Sequence, residues 1–154
     1  YFRQLFEVGV FRFLDKPVNT EQLSECFVDA CRQISDRNAC FEYTCKRGFF
    51  RIPFREIVYF ESDRRVIRLY LWNGEHREFY GKLNRIEEGM KAGGRFFLRI
   101  HQSYLLNYDY VRRMDGTSVT LAINGKEIQL PISSDRQYEM SKQLCELKKG
   151  KWNI

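Results

Sequence analysis

From Phe41 onward the sequence predicts a mainly β domain with short helices, and three observations carry that expectation. Apolar residues recur at every second position through several short runs, the period of a strand with one buried face. Two Asn-Gly pairs, Asn73-Gly74 and Asn124-Gly125, each sit between such runs, where Asn-Gly is the strongest short-range hairpin signal. Only two stretches in this region, Lys82–Met90 and the segment after Ser134, change to helical spacing.

The N-terminal residues read differently. Residues 1–8 predict the end of a helix, with Leu5 and Val8 three apart and Gly9 closing it. Val10–Leu14 is a short apolar run that predicts a buried strand, and Asp15-Lys16-Pro17 breaks it. Asn19 or Thr20 caps the next helix, with Gln22 in the capping-box position relative to Asn19. Leu23, Phe27, Cys31 and Ile34 give that helix one apolar stripe, and residues 35–40 form the candidate linker.

The β region then runs in order. Phe41–Arg47, Phe49–Phe54 and Ile57–Glu61 predict short strands. Val66–Trp72 alternates most clearly, with Ile67, Leu69 and Leu71 on one face, and Glu75–Tyr80 returns beside it after Asn73-Gly74. Leu83, Ile86 and Met90 line one face of the following helix, which Gly93-Gly94 ends. Phe96–His101 alternates again. Val111–Met114 and Ser118–Ile123 form a hairpin about Asp115-Gly116, and Lys126–Pro131 returns after Asn124-Gly125. Ser134 predicts a helix cap with Gln137 as its partner, while Met140, Leu144 and Leu147 face the core. Lys148–Ile154 predicts a frayed end.

Composition narrows the function classes. The chain has 154 residues and is 44% apolar and 30% charged, enough to bury a core. Its longest apolar runs, Ile57–Phe60 and Leu69–Trp72, are far short of the ~20 residues of a membrane span, so no membrane partner is expected. No signal peptide is visible, and the start at Tyr1 in mid-pattern is expected of a piece of a longer chain. The five cysteines lack the spacing of zinc-ligand pairs; reduced thiols in the cytoplasm and no metal site are expected. Residues 1–37 carry a net charge of −1, whereas residues 38–154 carry +7. In that basic part Arg outnumbers Lys, and arginine is the side chain that forks onto phosphate and guanine, which points to nucleic acid.

No catalytic motif accompanies this charge. The two histidines, His76 and His101, lack a nucleophile-motif neighbour, and Glu87 and Glu88 diverge as consecutive helix residues. The chain is therefore not expected to be an enzyme. The informative stretch is Phe96–Asn107, FFLRIHQSYLLN, which puts Arg99, His101, Gln102 and Ser103 at the end of a strand and the start of a loop. Such groups suit phosphate oxygens and base edges, although Arg99, His101 and Ser103 would equally satisfy a turn.

The succession of Glu56–Glu61, a hairpin, Phe79–Leu83, the F-x-R-x-H-x-S-Y-x-x-N run from Phe97 to Asn107 and the closing Leu130–Ser133 resembles the LytTR domain, the DNA-binding module of bacterial response regulators. That resemblance implies an antiparallel β-sandwich over residues 41–147 that meets double-stranded DNA through loops. The DNA-contacting positions it implies are Arg64, Arg65, Lys82, His101, Gln102, Ser134 and Arg136. Where the family often carries an arginine directly after the closing serine, this chain has Ser134, with Arg136 two residues on.

Residues 1–35 resemble a second family. Glu7–Val18, with Lys16-Pro17 at its core, is similar to the end of a flavodoxin-like α/β receiver domain. The resemblance implies that Lys16 is the phosphoryl-contacting lysine, that a cis peptide bond precedes Pro17, and that Phe13 is the aromatic reporting activation. It further implies a sensor histidine kinase as partner of the longer protein and a homodimer on paired half-sites. The Mg2+ pocket of a complete receiver is not in this chain, so no cofactor is expected. The competing reading is a basic β module that binds protein or ligand without DNA, and it fails if Arg64, Arg65, Gln102 and Arg136 converge.

A receiver sheet reduced to one strand leaves that strand poorly covered, so residues 1–35 should add little cooperative stability. Amide exchange is expected to be fast there and slow in residues 57–130; equal protection in both would contradict this.

Overall fold

The computed structural model describes Leu14 and residues 16–151. The helix and strand expected over residues 1–14 therefore lie outside the described residues apart from Leu14, as does Phe13. The chain divides into two compact units, residues 1–40 and 41–154.

In the first unit the Lys16-Pro17 peptide bond is cis, as the receiver resemblance implies. Helix α1, Thr20–Asn38, starts at Asn19, whose side chain accepts a hydrogen bond from the Glu21 amide. It runs through residues 35–38, which the sequence suggested as linker. Those residues are polar but contain neither Gly nor Pro, so nothing stops the helix before Asn38. Leu23, Phe27, Val28 and Ile34 are exposed on it.

The second unit is built on an antiparallel five-stranded sheet of order β5-β4-β3-β7-β6. Its strands are β3 (Ile57–Asp63), β4 (Val66–Leu71), β5 (His76–Tyr80), β6 (Phe97–His101) and β7 (Tyr104–Asn107). One face is covered by the hairpin of β1 (Cys40–Cys45) and β2 (Gly48–Pro53) and by α2 (Leu83–Ala92). Tyr43 and Ile52 of the hairpin, with Leu83 and Met90 of α2, close over Phe60, Leu69, Phe79 and Leu105 there. The other face is covered by a three-stranded sheet, β8 (Val111–Met114), β9 (Ser118–Ile123) and β10 (Lys126–Pro131), and by α3 (Ser134–Lys151). Val119, Leu121, Leu130 and Met140 pack there on Val58, Leu98, Ile100 and Leu106. The antiparallel sandwich is thus present, with a separate core on each side of its central sheet.

Strand β3 serves both cores. Its pairing with β4 shifts register between Ile57 and Tyr59, so Val58 and Tyr59 face the same side while Ile57 and Phe60 face the other. Residues 104–107, to which the sequence pattern assigned no element, form β7 and pair β3 and β6. Asn107 ends that strand. Its buried amide donates to the carbonyls of Ile57 (2.9 Å) and Phe54 (3.3 Å), and its oxygen accepts from the Asp109 amide.

Helix α3 begins at Ser134, so Ser133 rather than Ser134 precedes the first helical residue, and Gln137 donates to the Gly116 carbonyl instead of reaching back to a cap. It continues to Lys151, past the expected point of fraying. Ile123 and Lys126 pair across Asn124-Gly125, where both turn residues have positive φ, 48° and 74°, the backbone that a two-residue hairpin turn needs. Among the described residues no helix is long and apolar enough to cross a membrane.

The β8–β9 turn anchors the start of α3. Asp115 accepts hydrogen bonds from the amides of Thr117 and Ser118, both at 2.8 Å, and from their hydroxyls. The Thr117 carbonyl then accepts from the Ile132 amide. These donors, the Thr117 amide foremost, hold the Asp115 carboxyl down at about 2, against an ordinary 3.8. Because the folded state favours the ionised form, the contribution of this turn is full above the ordinary value and lost as pH falls through the folded one. A carboxyl-carbon titration of Asp115 is expected to show a midpoint near 2, and Asp115→Ala to speed exchange of the Thr117 and Ser118 amides at neutral pH; an ordinary midpoint would remove the turn from this role.

Candidate nucleic-acid interface

Four segments that are far apart in sequence meet at one end of the five-stranded sheet, and backbone hydrogen bonds join them. The β3–β4 turn is Arg64-Arg65. Beside it, the Ser62 amide donates to the Ser103 carbonyl at 2.8 Å, which ties that hairpin to the β6–β7 turn at Gln102-Ser103. The Gly81 amide donates to the Arg65 carbonyl at 3.0 Å, which brings Lys82 and the start of α2 to the same end. The Ser133 amide donates to the Ile100 carbonyl at 2.9 Å, which sets Ser134 and Arg136 next to the β6–β7 turn.

The side chains divide into those turned to solvent and those used inside. Arg64, Arg65, Lys82, Gln102 and Ser134 are exposed, and Arg136 is half-buried. Lys82 stands at the N-cap position of α2, where no side-chain cap bond forms. His101 is half-buried, and its Nδ1 accepts from the Ser103 amide at 3.1 Å, which leaves Nε2 as the nitrogen that carries the proton.

Arg99 goes inward. Its Nε donates to the His101 carbonyl at 2.7 Å, Nη2 to the Gln102 carbonyl at 2.6 Å, and Nη1 to Glu87 of α2 at 3.1 Å. Burial pushes its pKa down and the Glu87 carboxylate opposes that. Of the polar groups that the sequence offered to DNA in this stretch, Arg99 is therefore part of the support; it satisfies the turn.

The carboxylates near this end are occupied. Arg68 on β4 lies 2.8 Å from Glu78, 3.7 Å from Asp63 and 3.9 Å from Glu61, and Glu61 also accepts from the Tyr70 hydroxyl at 2.9 Å. Glu87 is held by Arg99 and by Lys91. Asp135 lies 3.8 Å from Arg136, and the Ser133 hydroxyl, ahead of the Arg136 charge, holds its carboxyl below the usual range. Among the described residues Arg64, Arg65 and Lys82 form no ion pair, so their charges face solvent uncompensated by a bonded acid. An end of a sheet that presents three such cations beside an exposed amide and a histidine N–H is suited to phosphate and base edges.

Lys16 is exposed and lies in the other compact unit.

The profile of the LytTr DNA-binding domain family matches residues 47–145. Among solved structures, the LytTr DNA-binding domain of a methyl-accepting/DNA response regulator from Bacillus cereus is similar in fold, with a TM-score of 0.54 and 15% identity, over 70% of this chain and 97% of that one. No curated protein matches the chain.

Arg64 occupies the left-handed region with φ 57°, a conformation that costs an ordinary L-residue ~1–2 kcal/mol and glycine almost nothing. Arg64→Gly is therefore expected to leave stability unchanged or raise it by up to ~1 kcal/mol, and Arg64→Val to lower it, in urea denaturation. A clear loss in the glycine variant would mean that the arginine side chain holds the turn.

Proposed function

The chain belongs to the LytTr DNA-binding domain family, and from that premise we propose that it is the sequence-reading part of a bacterial response regulator that controls transcription. The observation that carries this reading is the convergence of Arg64-Arg65, Lys82, His101-Gln102 and Ser134–Arg136 at one sheet end, with the nearby carboxylates already paired. Turns present Arg64, Arg65 and Gln102, while Lys82 caps one helix and Ser134 and Arg136 lie in the first turn of another, so no helix is laid lengthwise as a reading element. Gln102 and Arg65 stand on turns, where an amide or guanidinium can fork onto a base edge. Lys82 at the start of a helix is placed for a backbone phosphate.

The same reading extends to the longer protein. Residues 1–35 are the end of a receiver domain, and the exposed Leu23, Phe27, Val28 and Ile34 of α1 are apolar surface that the missing part of that domain would cover. Phosphorylation by a sensor histidine kinase then promotes dimerisation on paired half-sites, in the cytoplasm.

Selection of bound duplexes from a random library tests the reading directly. An enriched motif is expected, whereas retention of no duplex above background would favour a basic module for protein or ligand. On the enriched site, Gln102→Ala should cost ~1–3 kcal/mol and change binding to random DNA little. Lys82→Ala should weaken both alike and lower the salt slope by about 0.9. A salt series of binding isotherms on both duplexes separates the two roles. Equal weakening of both by Gln102→Ala would remove Gln102 from base reading.

A further inference from the structure

The reading turn is held from beneath by a group that cannot itself touch DNA. All the donor edges that Arg99 uses point inward, to the His101 carbonyl, the Gln102 carbonyl and the Glu87 carboxylate, and the residue is only 6% exposed. The two carbonyls are those of the peptide groups on either side of the Gln102 Cα. A planar guanidinium that bonds both fixes the orientation of both peptide planes, and hence the direction in which the Gln102 side chain leaves the backbone. The His101 ring adds a third restraint on the second of these planes, through its bond from the Ser103 amide.

The restraint does not end at the turn. Glu87, whose other oxygen is held at 2.7 Å by Lys91, belongs to the helix that Lys82 precedes. One buried ion pair therefore joins the element that carries the phosphate-facing lysine to the turn that carries the base-facing amide. The Arg99 and Glu87 side chains are 5% and 12% exposed, so the pair is shielded from the salt that weakens surface charges.

We propose that Arg99 and Glu87 are positioning residues for sequence recognition: the pair sets the direction of Gln102 relative to Lys82, and so fixes discrimination between sequences without contacting DNA. This rests on the DNA-reading assignment above. Loss of the pair frees the turn, after which Gln102 spends part of its time off the base edge while the phosphate contacts persist.

The test uses the whole chain, with the duplex enriched from the library and a random duplex of equal length. Arg99→Lys keeps the charge but replaces the planar fork with a point donor. Glu87→Gln keeps the side-chain shape and leaves Arg99 in place, and serves where Arg99→Lys lowers the folded yield. Either change is expected to shrink the preference for the enriched duplex, by about tenfold in Arg99→Lys. Binding to the random duplex should stay within about twofold at every salt concentration, because the phosphate contacts are untouched. A loss of folded fraction would lower both affinities in proportion and leave their ratio alone, so the ratio separates positioning from simple destabilisation. Adding Gln102→Ala to Arg99→Lys should cost little more preference than either alone, since the two act through one contact.

An unchanged ratio in both variants, or additive effects in the double variant, overturns the proposal while the DNA-reading assignment stands. A wild-type chain that prefers no duplex overturns the assignment and the proposal with it.

Discussion

The first four residues of strand β3 have no face to give to water. Ile57, Val58 and Phe60 are fully buried, on opposite sides of the sheet, and the strands on either side of β3 continue the two apolar surfaces with Leu69 and Leu105 on one and Leu106 on the other. A sheet of this kind needs two covers. The chain supplies an aromatic hairpin with a short helix on one side and a small sheet with a longer helix on the other. Alternation lets the central strands feed both cores, the register shift at Val58 adds Tyr59 to the same side as Val58, and the broad faces of the sheet are spent on packing. Part of what remains is one end, where the strands turn round. That is where the exposed cations and amides collect.

The same constraint explains what could be read from the chain and what could not. Strand β4 alternates because only one side of it is deeply buried, and its pattern was plain in the sequence. Strand β7 is buried on both sides; its residues Tyr-Leu-Leu-Asn show no alternation and resemble the continuation of a loop. Residues 35–38 looked like a linker because they are polar, yet polarity alone does not end a helix. At α3, two serines stand in succession before an acidic residue, and local pattern does not distinguish which of them precedes the helix. The tip residues were found because turns and the family pattern mark them. Their meeting was not legible, since it depends on the bonds Ser62–Ser103, Gly81–Arg65 and Ser133–Ile100, which join residues with no periodic relation. The inward role of Arg99 was hidden for the same reason: its partner Glu87 lies on a different element.

Charge is arranged with similar economy. A domain this basic still holds many carboxylates, and a carboxylate beside an exposed arginine would repel a polyanion. Here Arg68 gathers Glu61, Asp63 and Glu78 on the strand behind the tip, and Arg99 with Lys91 takes Glu87. Cations that form part of the scaffold neutralise acids that form part of the scaffold. Arg64 and Arg65 at the tip keep their field.

A division of labour follows from the way the four segments are joined. Their mutual placement is held by main-chain atoms and by side chains that point inward, none of which depends on the identity of the residue at position 102 or 65. An exposed side chain there can be exchanged without asking the framework to adjust. On the reading proposed above, the domain separates the alphabet from the page: drift at a few solvent-facing positions would retarget it to new sites, while selection on foldability acts elsewhere. The same separation makes the turn a practical place to recode specificity by design, one residue at a time.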